Sequence, residues 1–115
     1  MRHRKKGKIF GRVRKQRKAL LKNLGSSLVM HERMTTTETK AKALRPYLER
    51  VIAKARKETL AGKRYAYRFL SHEAAKILLR DRISRFKNRQ SGWTRITKLV
   101  RRRKDGARKA IIEFV

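Results

Sequence analysis

From Met1 to His31 the chain carries eleven Lys and Arg and not one Asp or Glu; the first acid is Glu32. The opening, Met1-Arg2-His3-Arg4-Lys5-Lys6-Gly7-Lys8, repels itself and has little to bury, so it cannot fold alone. Such a segment makes physical sense only beside a polyanion, where each cation laid along a phosphate releases condensed counterions. Met1 to Gly11 therefore reads as an extended basic arm, with flexible points at Gly7 and Gly11, and residues 12–115 read as one domain.

The rest of the chain agrees with its beginning. It sets 36 Lys and Arg against 8 Asp and Glu, a formal charge of +28 on 115 residues, with 39% hydrophobic residues for a modest core. Self-repulsion on this scale works against a compact state, so a counter-charged partner is implied: nucleic acid, an anionic membrane surface or an acidic protein. Charge spread over the whole length, rather than along one amphipathic face, favours nucleic acid. The absence of cysteine excludes a disulfide scaffold and any Cys-built zinc site. No apolar run approaches the roughly 20 residues of a membrane span. No apolar stretch follows the N-terminal charges, so a secretory signal is not expected. The expectation is a cytosolic or nucleoid chain.

Leu20, Leu21, Leu24 and Leu28 form an apolar stripe at helical spacing and predict a helix from about Val13 to His31, weakened near its middle by Gly25. Arg33 to Thr36 reads as one brief strand. A threonine, Thr37 or a neighbour, caps a second helix, and Thr35 with Glu38 has the spacing of a capping box. That helix carries the stripe Ala41, Leu44, Leu48, Val51, Ile52 and Ala55, is expected to kink or break at Pro46, and should fade near Leu60-Ala61-Gly62. Lys63 to Leu70 reads as a short third helix. Ser71 caps a fourth, with Glu73 suited to its macrodipole and an apolar side of Ile77, Leu78, Leu79, Ile83 and Phe86. After a polar loop from Lys87 to Gly92 the period changes. Trp93 to Val100 and Lys109 to Val115 read as strands, the second with Ala110, Ile112 and Phe114 on one side. Asp105-Gly106 marks the turn of a hairpin with a long basic tip. The order α-β-α-α-α-β-β implies an α+β fold of two layers, helices packed on a small mixed sheet.

Several segments resemble the bacterial large-subunit ribosomal protein seventeen family. They are Met1-Arg2-His3-Arg4-Lys5-Lys6-Gly7, Arg17 to Leu24, His31-Glu32-Arg33, Thr36 to Pro46, Gly92-Trp93-Thr94-Arg95-Ile96 and Ala110 to Val115, spread over nearly the whole chain. The resemblance implies a structural, non-enzymatic component of the large ribosomal subunit that binds its long ribosomal RNA among neighbouring ribosomal proteins in the cytoplasm, on the solvent side near the peptide exit. It also implies three helices between a first strand and a final pair. Two places depart from the family. Val13-Arg14-Lys15-Gln16 replaces a Thr-Ser-Ser-His-type run, exchanging a helix cap for charge, and Arg101 to Lys104 is more basic than usual.

The residues expected to touch RNA follow from charge and position. In the arm they are Arg2, His3, Arg4, Lys5, Lys6 and Lys8, with Arg12 just beyond it. On the first helix they are Arg14, Lys15, Arg17, Lys18 and Lys22, a run without acidic partners. At the other end they are Trp93, Arg95, Arg101, Arg102, Arg103, Lys104 and Arg108. Most of these contacts are expected on phosphates, with the shape of folded RNA doing the selecting. For Trp93 two roles stand open, covering the sheet edge or stacking on RNA. Tyr65, Tyr67 and Phe69 alternate as stacking residues do, but core packing is the expectation for at least two of them. His31 and His72 read as helix-terminal residues. No P-loop follows Gly7 or Gly11, no carboxylates pair, and no metal, cofactor or small-molecule substrate is indicated. The alternatives are a nucleoid DNA-binding or RNA-chaperone protein and, more remotely, an enzyme acting on RNA.

Overall fold

The structure, a computed structural model, describes residues 13–102 and 106–115, and the side chains of these other than 100–102. The arm expected over Met1 to Gly11 lies outside the described residues. Helix α1 (Arg14–His31) starts at Val13, which has no side chain able to cap it. It ends where Glu32 turns left-handed (φ 65°) and returns its N–H to the Leu28 carbonyl at 2.7 Å. The stripe expected from Leu20 to Leu28 is fully buried only at its C-terminal end, where Gly25, Ser26, Leu28 and Val29 enter the core. Leu20, Leu21 and Leu24 are half-buried, and Leu21 lines an open groove.

Strand β1 (Arg33–Thr37) leads directly into helix α2 (Glu38–Ala55). Thr37 caps that helix, its hydroxyl accepting from the Lys40 N–H at 3.3 Å. The capping box between Thr35 and Glu38 is not formed: Thr35 is in the strand, opposite Ile111, and Glu38 is the first helical residue. Neither does Pro46 interrupt α2. It stands on the exposed face, where an unpaired carbonyl one turn back costs least, and all six residues of the expected stripe are buried on the other face. Helix α2 ends at Ala55, earlier than expected. Glu58 is left-handed (φ 55°), its carboxylate held by Lys87 at 2.8 Å, and Thr59 caps helix α3 (Leu60–Phe69) by accepting from the Gly62 N–H at 3.1 Å. Leu60-Ala61-Gly62 thus opens α3 instead of closing α2.

Ser71 caps helix α4 (His72–Ile77) as expected, accepting from the Ala74 N–H at 3.2 Å. The helix passes through one π-helical turn, Leu78–Arg82, into α5 (Ile83–Phe86). The π turn explains an awkward spacing. Leu78 and Ile83 are both buried although five residues apart, and one wide turn returns the later residue to the core side. It also delivers Arg82 to the end of α1. There Nε and Nη2 donate to the Val29 and Met30 carbonyls at 2.7 and 3.1 Å, and Nη1 meets the Glu32 carboxylate at 2.5 Å. The carbonyls that a helix end leaves unpaired are satisfied from across the core. Ser26 makes a second tie: buried, it donates to the Lys22 carbonyl at 2.7 Å and accepts from the Ser71 N–H at 2.8 Å.

Strands β2 (Thr94–Arg102) and β3 (Arg108–Phe114) form the hairpin, and the sheet order is β1-β3-β2. The sheet is antiparallel throughout, not mixed as expected. Strand β3 reverses from β2 across the tip, and β1 meets its other edge running the opposite way, so no parallel pair arises. Being central, β3 alternates cleanly: Ala110, Ile112 and Phe114 are buried beneath the helices, with Phe86 edge-on to Phe114 at 5.1 Å. The register of β2 against β3 shifts between Lys98 and Arg102, toward the tip, where Gly106 takes a positive φ of 84° that favours glycine.

Candidate nucleic-acid interface

The eight acids decide where the free positive charge lies. Five of them are taken by cations of the domain's own packing. Glu32 holds Arg82 and Arg85, Glu38 holds Lys42 and Lys98, Glu49 holds Arg45, Glu58 holds Lys87, and Glu113 bridges Arg33 and Arg95 across the three strands. The Lys42 ammonium, hydrogen-bonded to Glu38, holds that carboxyl below the usual carboxylate range, and Lys87 does the same to Glu58. Among the described residues Arg14, Lys15, Lys18 and Lys22 of α1 make no ion pair. Cations without acidic partners on one helix are suited to phosphates.

Helical geometry then sorts the α1 cations. Arg14, Arg17, Lys18 and Lys22 recur at three- and four-residue steps and line a groove of about 830 Å³ that α1 forms with α2 and α3. Lys15, about a hundred degrees round the helix from Arg14, is exposed but does not line it. The opposite wall comes from residues not counted among the expected contacts: Lys42, Pro46, Tyr47 and Arg50 of α2, and Tyr65, Arg68 and Phe69 of α3. Among the described residues that line it, seven are Lys or Arg and none is acidic. The signal was present in the spacing, since 42, 46 and 50 share one face of α2 and 65, 68 and 69 one face of α3. The buried stripe of α2 overshadowed the face beside it.

The aromatic part of the wall is fixed in place. Tyr47 donates its phenol to the Phe69 carbonyl at 2.6 Å and stands edge-on to the Phe69 ring at 6.0 Å, while Tyr65 lies against Phe69 at 4.5 Å. Tyr65 and Phe69 thus pack partly into the core as expected, whereas Tyr67 points away, 40% exposed and against His72. Burial pushes the Tyr47 phenol up to about 12, with the nearby Tyr65 adding to the effect. A phenol whose folded pKa exceeds its unfolded value near 10 contributes stability that is intact below about pH 10 and lost as pH rises toward 12. Alkaline unfolding should therefore steepen over that window. The comparison is with Tyr47→Phe, whose denaturation midpoint should fall less between pH 10 and pH 12.

The remaining expected contacts divide. Arg108 opens β3 and is exposed; Arg95 is exposed too, although Glu113 takes two of its N–H groups at 2.9 and 3.2 Å. Arg101 and Arg102 have strand backbone, with side chains outside the described residues, where Arg2, His3, Arg4, Lys5, Lys6, Lys8, Arg12, Arg103 and Lys104 also lie. Trp93 is a correction. It is 3% exposed, so its faces are closed to a base. Its indole N–H donates to the Phe86 and Arg89 carbonyls, both at 3.1 Å, finishing α5, and the Arg56 guanidinium covers the ring at 5.5 Å. His31 and His72 are helix-terminal, as expected. Among the described residues no group of three or more His, Cys, Asp or Glu is placed to hold a metal ion, and no helix is long and apolar enough to cross a membrane.

Comparison with known proteins adds a second line of observation. The family described as Ribosomal protein L17 matches residues 20–115. The chain is similar to the large ribosomal subunit protein bL17 of Thermomicrobium roseum, 47% identical over 116 positions that cover 100% of this chain and 99% of the relative. It is similar to the protein of that name from a Hydrogenobaculum species, 45% identical with 100% and 99% covered. The same holds for that of Shouchella clausii, 45% identical with 92% and 96% covered.

Proposed function

The chain belongs to the ribosomal protein L17 family, and from that premise we propose that it is a structural constituent of the large ribosomal subunit, bound to ribosomal RNA in the cytoplasm. The observation that carries the RNA contact is the separation of charge. Five of the eight acids are spent inside the domain on residues of β1, α2, α4–α5 and the sheet, while Arg14, Lys15, Lys18 and Lys22 of α1 make no ion pair among the described residues. Such a surface holds phosphates by position and shape rather than by base sequence. The domain docks through the α1 face, and the basic arm and hairpin tip reach between RNA segments beside neighbouring ribosomal proteins. The role is cementing, not catalysis.

The test is occupancy. The tagged chain should sediment with large subunits through high-salt gradients, and a protein recovered with DNA or free of subunits would favour the nucleoid or chaperone alternative. In the same competition, changing Arg101, Arg102 and Arg103 together to Ser should lower occupancy while circular dichroism stays unchanged. Arg102 stands opposite Arg108, beyond the pairs that the buried residues Ile112 and Phe114 make with Ile96 and Thr94. Full occupancy of the triple variant would make the tip a solvated loop.

A further inference from the structure

Phosphate binding alone does not call for a groove. A chain of phosphates can lie on an exposed cationic helix, and α1 offers one without any concavity. Yet the space bounded by α1, α2 and α3 measures about 830 Å³, within the roughly 300–1,000 Å³ of small-molecule sites. It pairs a cationic rim with an aromatic wall, and the rings are held by their own contacts rather than left to rearrange. The Tyr47 phenol is tied to the Phe69 carbonyl, Tyr65 lies against Phe69, and the Arg68 guanidinium sits 5.3 Å from the centre of the Phe69 ring. Preorganised rings and a planar guanidinium are what an unstacked base requires, and the surrounding ammonium and guanidinium groups suit the phosphates on either side of it.

Resting on the RNA-binding reading above, we infer that this groove receives one unstacked nucleotide from a looped or single-stranded stretch of RNA. The base lies against Tyr65, Phe69 and Tyr47, and the flanking phosphates lie on Arg14, Lys18 and Arg50. Charge selects the occupant. A cationic ligand or basic peptide segment would meet seven like charges with no acid among them. An acidic peptide satisfies the rim but supplies no planar group for the rings. Paired RNA satisfies the rim too, but its bases are already stacked and cannot enter.

The experiment uses the full chain with three probes: hexauridylate, an abasic oligomer with the same phosphates, and a poly-glutamate of equal charge. Hexauridylate is expected to bind about tenfold more tightly than the abasic oligomer, the usual size of one base–aromatic stack. The ring resonances of Tyr65 should move upfield with hexauridylate alone. Tyr65→Leu should bring the two oligonucleotide affinities together. Tyr67→Leu, which removes an aromatic residue outside the groove, should keep them apart. Equal affinities for the two oligonucleotides in the wild type, without movement of Tyr65, would overturn the nucleotide site and leave RNA binding standing. Failure of both oligonucleotides to bind at low salt would overturn the RNA-binding reading itself. An equal Tyr65 shift with poly-glutamate would make the groove a site for acidic protein and overturn the inference. If Tyr65→Leu does not fold, the wild-type affinities and ring shifts decide alone.

Discussion

Gly62→Ala is expected to lower stability by about 3 kcal/mol, the upper end of what overpacking costs, and the melting temperature by roughly 10–15 °C. The reason is a backbone contact. A Cβ at this position would lie 2.2 Å from the Lys54 carbonyl oxygen and 3.1 Å from its carbon. Neither atom is the end of a flexible side chain, so α2 and α3 must part. Parting them moves Ala66 and Leu70 away from the core, and disturbs Thr59, whose hydroxyl accepts the Gly62 N–H and would itself sit 3.3 Å from the new methyl. Gly25→Ala is the control. There the nearest atoms to the new carbon are the methyl ends of Leu48 and Leu70, both at 3.3 Å, and of Leu44 at 3.6 Å. Those side chains can yield by a few tenths of an ångström, and the gain of about 1 kcal/mol in helix propensity offsets the crowding. Thermal unfolding followed by circular dichroism should show a large loss for the first variant and little change for the second. Equal losses would mean that the α2–α3 crossing is not the tight point of the fold.

Gly62 also shows where reading the chain by itself stops short. The stripe of α2, the cap at Ser71 and the alternation of β3 were all legible, because each depends on residues close in sequence and each matches the structure. The three-residue run containing Gly62 looked like a helix end because glycine commonly ends helices. In the fold it begins one, and the glycine is needed for a carbonyl eight residues earlier. The same holds for Pro46, where a local rule predicts a kink or a break; burial of six neighbours on the other face keeps α2 unbroken. The antiparallel sheet depends on β1 and β3, which are far apart in the chain, and no local pattern carries that pairing.

The candidate site divides along the same line. The acid-free run on α1 was legible, since missing acids are a property of composition. The second wall was not, because Tyr47, Arg50, Tyr65 and Arg68 come together only when α2 and α3 pack. Of the two roles open for Trp93, burial leaves the covering one and removes it from the expected RNA contacts. Its neighbours Gly92 and Ser91 suggest an exposed turn, but its indole N–H finds the carbonyl of Phe86 at the end of α5 and that of Arg89 just beyond it, and those bonds decide for burial over exposure.

The largest effect expected in solution is on RNA affinity. A footprint of 6–10 phosphates implies that binding weakens by about 10³–10⁵ between 50 and 200 mM salt. The slope of log affinity against log salt counts the contacts, and the structure says which cations should count. Arg14, Lys18 and Lys22 lie on one side of α1 and are unpaired among the described residues. Changing all three to Gln keeps good helix formers in place, so the fold should be retained. Each lost phosphate contact lowers the slope by about one, and the triple variant should therefore lose about three from it. Arg82→Gln and Arg85→Gln should instead leave the slope nearly unchanged, because those guanidiniums are already spent on Glu32, and Arg82 also on the end of α1. The loss of Arg82 should appear in thermal stability. Filter binding to large-subunit RNA across the salt range measures the slopes. If the paired and unpaired cations contributed alike, the charge would act through its total amount and not through the free face of α1, since only a localised footprint distinguishes one arginine from another.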